Sequence, residues 1–347
     1  MRFKFFFSVF LFMVLTLPSC SISNGEVGEN TSAWVNGGEM LTPRMAPAYV
    51  AVGDTFYIIG GSNDKGYISE VEWTRIRADG GFTGWKKSRS LNTPRGYSAG
   101  VYYNHYIYVL GGAYGKYGQE LLNTVERVKV NRDGSLGKWV LEKEKLFSAR
   151  RGTTAYVRGG YIYAIGGYNG EFLDTVERAK INADGTLGSW SLESIMEHRR
   201  YIHSSVGSGC MLYVMGGHHK SSGGATEKVE YAEILQDATL GQWQESPSIN
   251  HPRYGAVAVR VDKQVYLIGG YDGKALSFVE AAGIKDDRGL GEWKNFPSLK
   301  IPRDAPAVLV HDDYIYVLGG VDDKGKYQSS VEVARVGEKG EFVAWKE

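Results

Sequence analysis

The stretch Arg95-Gly-Tyr-Ser-Ala-Gly-Val-Tyr-Tyr-Asn-His-Tyr-Ile-Tyr-Val-Leu-Gly-Gly112 carries the plan of the chain, because its marks occur six times between about residue 44 and the end. A Gly-Gly pair begins 16 residues after Arg95, and the same interval separates Arg44, Arg150, Arg200, Arg253 and Arg303 from Gly60, Gly166, Gly216, Gly269 and Gly319. A tyrosine stands three residues before each pair: Tyr57, Tyr108, Tyr163, Tyr213, Tyr266 and Tyr316. Beyond the pairs come Glu72, Glu126, Glu177, Glu230, Glu280 and Glu332, and 13 residues after each a tryptophan: Trp85, Trp139, Trp190, Trp243, Trp293 and Trp345. Self-similarity at about 50 residues is the signature of a repeat architecture.

Intervals this rigid require regular secondary structure. Tyr106–Leu110 and Tyr161–Ile165 are β-branched and aromatic and are bounded by turn residues, so they read as strands. Asn131-Arg-Asp-Gly134 and Asn182-Ala-Asp-Gly185 lie between Glu and Trp, where Asp-Gly supplies a hairpin turn. Each repeat therefore reads as four antiparallel strands: a after the arginine, b into the glycines, c through Val-Glu, and d carrying the tryptophan. A lone four-stranded sheet cannot bury both faces, and tandem sheets solve this by packing around an axis. The expected fold is all-β: a six-bladed β-propeller with aromatic filling between blades and paired glycines where backbones approach closely.

Thr93-Pro-Arg95, Tyr108-Val-Leu-Gly-Gly112, Val125-Glu126 and Trp139 resemble the kelch repeat, and the other copies follow the same pattern, except that proline is missing before Arg150 and Arg200. The resemblance covers about nine-tenths of the chain. It implies a kelch-type propeller and leaves function open, since kelch propellers include oxidases, sugar isomerases, peptide receptors and actin binders. One d strand is surplus. Trp34 precedes Arg44 by ten residues, as Trp85 precedes Arg95, so either the Trp34 strand or the Trp345 strand can complete the last blade.

Forty Lys and Arg against 39 Asp and Glu give a net charge of +1, and no basic stripe points to nucleic acid. At the N-terminus, Arg2 and Lys4 precede an apolar run from Phe5 to Leu17, which suits a secretory leader. Leu17-Pro-Ser-Cys20 resembles the bacterial lipobox. The expected organisation is a signal peptide over 1–19, a lipidated Cys20 with a polar tether over 20–32, and the propeller over 33–347, held at the bacterial cell envelope by the lipid alone. Secretion is the alternative. Cys210 falls in an a-to-b turn and has no partner for an internal disulfide.

Strands b end where strands a begin, so the b-to-c loops and the segments opening strand a share one face, the mouth. Whatever recurs in every blade serves the blade, which makes the repeat glutamates architectural. Arg44, Arg95, Arg150, Arg200, Arg253 and Arg303 either pair with those glutamates or line the mouth, where a ring of them implies an anionic partner. The irregular positions are Tyr114 and Tyr117 in the longest loop, Tyr168, His218 and Tyr271 after the glycines, and Tyr97, Arg151, Tyr201, Tyr254 and Asp304 opening strand a. Of these, Tyr114, Tyr168, Tyr201, His218, Tyr254 and Tyr271 join the arginines as expected ligand contacts. His198, His203, His218 and His219 cluster without regular metal-ligand spacing. They read as polar loop residues, with zinc or copper as the alternative.

No serine-triad motif, phosphate loop or nucleotide fingerprint is present. The expectation is a monomeric, non-catalytic binding module without cofactor that takes a protein or glycan at the mouth. The alternative is a sugar mutarotase or epimerase with an axial pocket, resembling the sialic acid isomerases. A copper oxidase with a cysteine–tyrosine crosslink is set aside because Cys210 belongs at the other end of the blade.

Overall fold

The computed structural model describes residues 32–220 and 224–344. The leader, Cys20, most of the tether and Trp345 lie outside the described residues. Six antiparallel sheets stand around a central axis, as the repeats predict. In the second blade the strands are a Ala99–Tyr103, b Tyr106–Leu110, c Val125–Lys129 and d Val140–Leu141, paired in the order a-b-c-d from the axis outward. Blades one, three, four and five repeat this order.

The core lies between blades. Ala48, Val50, Tyr57 and Ile59 of the first blade interlock with Ile107, Val109, Val128 and Trp139 of the second. Equivalent clusters fill the other seams, where aromatic side chains bury the most area per residue.

The glycine pairs are explained by the neighbouring blade. Gly111 has φ +64, and a Cβ there would come within 2.5 Å of the Arg150 carbonyl oxygen. Its neighbour Gly112 donates its N–H to that same carbonyl at 2.7 Å. The bond recurs at every seam and closes where Gly320 donates to the Arg44 carbonyl. The repeat tyrosines form a second circuit. Tyr57 donates its hydroxyl to the Gly134 carbonyl in the c-to-d turn of the next blade, and the series ends with Tyr316 on Gly80 of the first.

The repeat arginines do not face the mouth. All six are fully buried, and each is bonded to its own blade's glutamate, as in Arg95–Glu126 at 2.8 Å and Arg200–Glu230 at 2.7 Å. The second guanidinium nitrogen of Arg95 donates to the Gly111 and Thr124 carbonyls. Burial disfavours the charge on Arg95, and the glutamate beside it opposes that shift. This corrects the expectation that Arg44, Arg95, Arg150, Arg200, Arg253 and Arg303 contact ligand: no surface of theirs is exposed, and each guanidinium is bonded to the glutamate of its own blade.

The surplus strand also finds its place. Val35–Glu39 pairs antiparallel with strand c of the last blade, Ser330–Val336, in the outer position. Trp34 is buried there, and its indole N–H donates to the Pro297 carbonyl, as Trp293 donates to Pro247 one blade earlier. The N-terminal strand thus closes the ring, while Phe342–Val343 pairs only with the end of the same c strand.

Candidate functional site

Two residues after each repeat arginine the backbone turns through the left-handed region. Ala46, Tyr97, Gly152, Ile202, Gly255 and Ala305 have φ between +47° and +67°. The N–H of each donates to the carbonyl of the preceding one at 2.8 or 2.9 Å, from Tyr97 to Ala46 around to Ala46 on Ala305. Six backbones spaced at strand-like distances make a collar about 10 Å across between opposite segments before their own atoms are subtracted. Below this collar lies a channel of about 590 Å³ lined by the a strands. Above it is the mouth.

One residue before the collar, each a segment bridges the residue that follows the glycine pair of its own blade. The bridges are Met45 to Ser62, Gly96 to Ala113, Arg151 to Tyr168, Tyr201 to His218, Tyr254 to Tyr271 and Asp304 to Val321. Here the sixfold pattern breaks in half: blades three to five bring large aromatic or cationic side chains, and blades six, one and two bring small, aliphatic or acidic ones.

The aromatic half forms one continuous arc. Tyr168 packs on Tyr201 at 5.5 Å between centroids, Tyr201 on His218 at 5.4 Å, His218 on Tyr254 at 5.1 Å and Tyr254 on Tyr271 at 5.3 Å. Phe172 completes it, stacked on His218 at 5.3 Å. Five of the six irregular contacts expected from sequence therefore meet in one place. Burial, with His219 adding to it, holds the His218 imidazole below its ordinary range, which keeps the ring neutral near pH 7. Burial also pushes the Tyr254 phenol up to about 12.

Tyr114 is elsewhere. It lines a second hollow of about 790 Å³ over the first two blades, together with Tyr67, Tyr97, Tyr117 and Tyr327. Arg151 reaches into this hollow from the third blade, its guanidinium 4.7 Å above the Tyr97 ring. Asp304 opens the last blade across the axis. Burial raises its carboxyl to about 7, partly opposed by the adjacent Ala305 N–H.

The histidines do not converge. His198 bonds to Glu245, His203 is buried against Thr154, and His218 belongs to the arc. Among the described residues, no group of three or more His, Cys, Asp or Glu is arranged to hold a metal ion. Cys210 lies in the a-to-b turn of the fourth blade at the far end, 3.3 Å from a Glu233 carboxylate oxygen.

A family model described as the Kelch motif matches residues 149–178 and 302–333, the third repeat up to Glu177 and the sixth up to Glu332. The chain carries kelch repeats. Among curated relatives, alpha-scruin of Limulus polyphemus is 25% identical over 70% of this chain and 26% of its own length. Kelch-like protein 23 of Homo sapiens is 29% identical over 47% of this chain and 27% of its own. The matches thus span about a quarter of the length of these relatives. The solved structure of YjhT superposes with a TM-score of 0.72, covering 88% of this chain and 99% of that one at 15% identity. That likeness is one of fold alone. The kelch propeller fold suggests a binding or structural module.

Proposed function

We propose that this kelch propeller is a non-catalytic binding module that holds a protein or glycan at its mouth, carried on the bacterial cell envelope by lipid on Cys20. The observation that supports it is the arc from Tyr168 to Tyr271, touching rings on the face where the b-to-c loops gather. Aromatic faces offer large, rigid contact area at low entropic cost, and the phenol hydroxyls supply directional bonds. The sixfold framework does not need these side chains, because the inter-blade bonds run through other residues in every blade. Glycan arrays and envelope pull-downs with the full chain test the reading. Saturable binding that Tyr201→Ala weakens by tenfold or more supports it, and binding indifferent to Tyr201→Ala and Tyr254→Ala overturns it. For the anchor, palmitate labelling is expected to be lost in Cys20→Ala together with membrane retention.

One observation favours the alternative, a sugar mutarotase or epimerase. A carboxyl raised to about 7 beside the axis suits a general acid or base at neutral pH. Turnover of a reducing sugar that disappears in Asp304→Asn would establish that reading over simple binding.

A further inference from the structure

The hollow over the first two blades differs in chemistry from the aromatic arc beside it. Its lining holds three cations, Lys65, Lys116 and Arg151, against one carboxylate, Asp64. Arg151 is the deepest of the three. Its Nε is buried without a hydrogen-bond partner, and its guanidinium carbon sits over the Tyr97 ring. Tyr67 and the Arg151 guanidinium crowd Gly118 in the long loop of the second blade; Arg151 Nη1 lies 3.3 Å from where a Cβ would stand. Its chain neighbour Arg150 is fully enclosed and bonded to Glu177, so the second guanidinium of this pair is left for something outside the blade. A guanidinium seated over an aromatic ring presents its edge as a two-pronged donor that fits a carboxylate.

The backbone around the mouth decides between a peptide and a sugar. An extended peptide is usually gripped by free N–H and C=O groups along a sheet edge. Here the first residue of each a segment is bridged to its b-to-c loop, and the second is tied into the collar. What the mouth offers instead is ring faces and phenol hydroxyls, which match the apolar face and hydroxyl rim of a pyranose. A hollow of about 790 Å³ has room for more than one sugar ring, and Arg151, which lines it, bridges Tyr168 at the end of the arc.

Resting on the mouth reading above, we infer that the ligand is an anionic oligosaccharide of uronic-acid type, with a carboxylate on Arg151 over the first two blades and its further rings on the arc over blades three to five. Lys65 and Lys116 add attraction at the rim, so binding weakens as salt rises.

Calorimetric titration of the full chain with oligogalacturonate, alginate and hyaluronan oligomers, against neutral cello- and xylo-oligosaccharides and a hexaglutamate peptide, tests this. Preference for at least one anionic glycan over the neutral set by tenfold or more is expected. Arg151→Met should reduce that preference to about twofold with melting temperature unchanged, and Lys116→Gln should reduce it less. Tyr201→Ala should weaken acidic and neutral glycans alike. Equal affinity for acidic and neutral glycans, or a preference that survives Arg151→Met, overturns the inference. Tight binding of hexaglutamate with no glycan bound also overturns it while leaving the mouth as a protein-binding site, and no binding of any probe counts against both readings.

Discussion

Gly111 and Arg95 show how single residues carry the repeat. At Gly111 both the left-handed backbone and the Arg150 carbonyl forbid a side chain, whereas at Gly53, also left-handed, a Cβ would meet nothing within 4 Å. Gly53→Ala is expected to cost about 1 kcal/mol, the conformational penalty alone. Gly111→Ala should cost distinctly more, about 3 kcal/mol or beyond, because the seam must also open; urea titration of the two variants compares them. Arg95→Met leaves Glu126 buried without its cation and is expected to lose about 3–5 kcal/mol in the same assay. Two titrations act in opposite directions. Burial, with Arg200 and Arg150 adding to it, holds His203 well below its ordinary range, so the unfolded chain takes up a proton near pH 6.5 that the fold refuses. Stability therefore falls through His203 as pH drops below about 6.5, and His203→Gln should flatten that fall. Asp304, raised to about 7, contributes stability that is fully present below about pH 4 and is lost as pH rises through 7. Asp304→Asn should accordingly be more stable than the parent at pH 8, by about 1–3 kcal/mol, and little different near pH 4. The repeat glutamates could be assigned to the blade from sequence because they lie within strand c and away from the mouth. Their arginines could not, since spacing fixes where a residue sits along a strand and not which way its side chain leaves.

Among the elements, the N-terminal strand is the least local. Its partner, strand c of the last blade, lies almost 300 residues away in sequence, as in the pairing of Asn36 with Glu332. The interval from Trp34 to Arg44 announced a d strand, but two candidates fitted one slot and only pairing could choose between them. Trp34→Ala should remove both the seam filling and the bond to Pro297, at a cost of about 3–5 kcal/mol, read as a lowered melting temperature. The b-to-c loops were legible in part. Residues directly after the glycines were expected at the mouth and are there, whereas Phe172, Tyr67 and Tyr327 were not anticipated. These three sit on the returning arm of the loop, bridged to Tyr168, Ser62 and Val321 respectively, so an aromatic five to seven residues beyond a glycine pair was the signal available. Tyr114 went to a different hollow because Ala113, one residue before it, holds the place in the second blade that Tyr168, His218 and Tyr271 hold in blades three to five.

At the scale of the whole molecule, circuits of inter-blade bonds run without a break: glycine to arginine carbonyl, tyrosine to turn, and the collar. A ring joined at every seam has no end repeat from which to fray, unlike an open solenoid. Urea unfolding followed by tryptophan fluorescence and by far-ultraviolet circular dichroism should show one transition with a common midpoint, and separated midpoints would mean that blades come apart singly. The count of blades and their closure followed from the repeat. The division of the mouth into an aromatic half and a half with small or acidic residues did not, because it depends on which irregular positions become neighbours after the ring has closed.

The clasp made by Val35–Glu39 also determines how the protein bears a pull. Tension applied through the chain before Ser32 enters the disc at one seam and reaches Trp34 first, where the indole is locked between strands and bonded to Pro297. Beyond it, load passes into the Val35–Glu39 strand, and detaching that strand would free an edge of the last blade. The seam that completes the circle is thus also the mechanical fuse of the molecule.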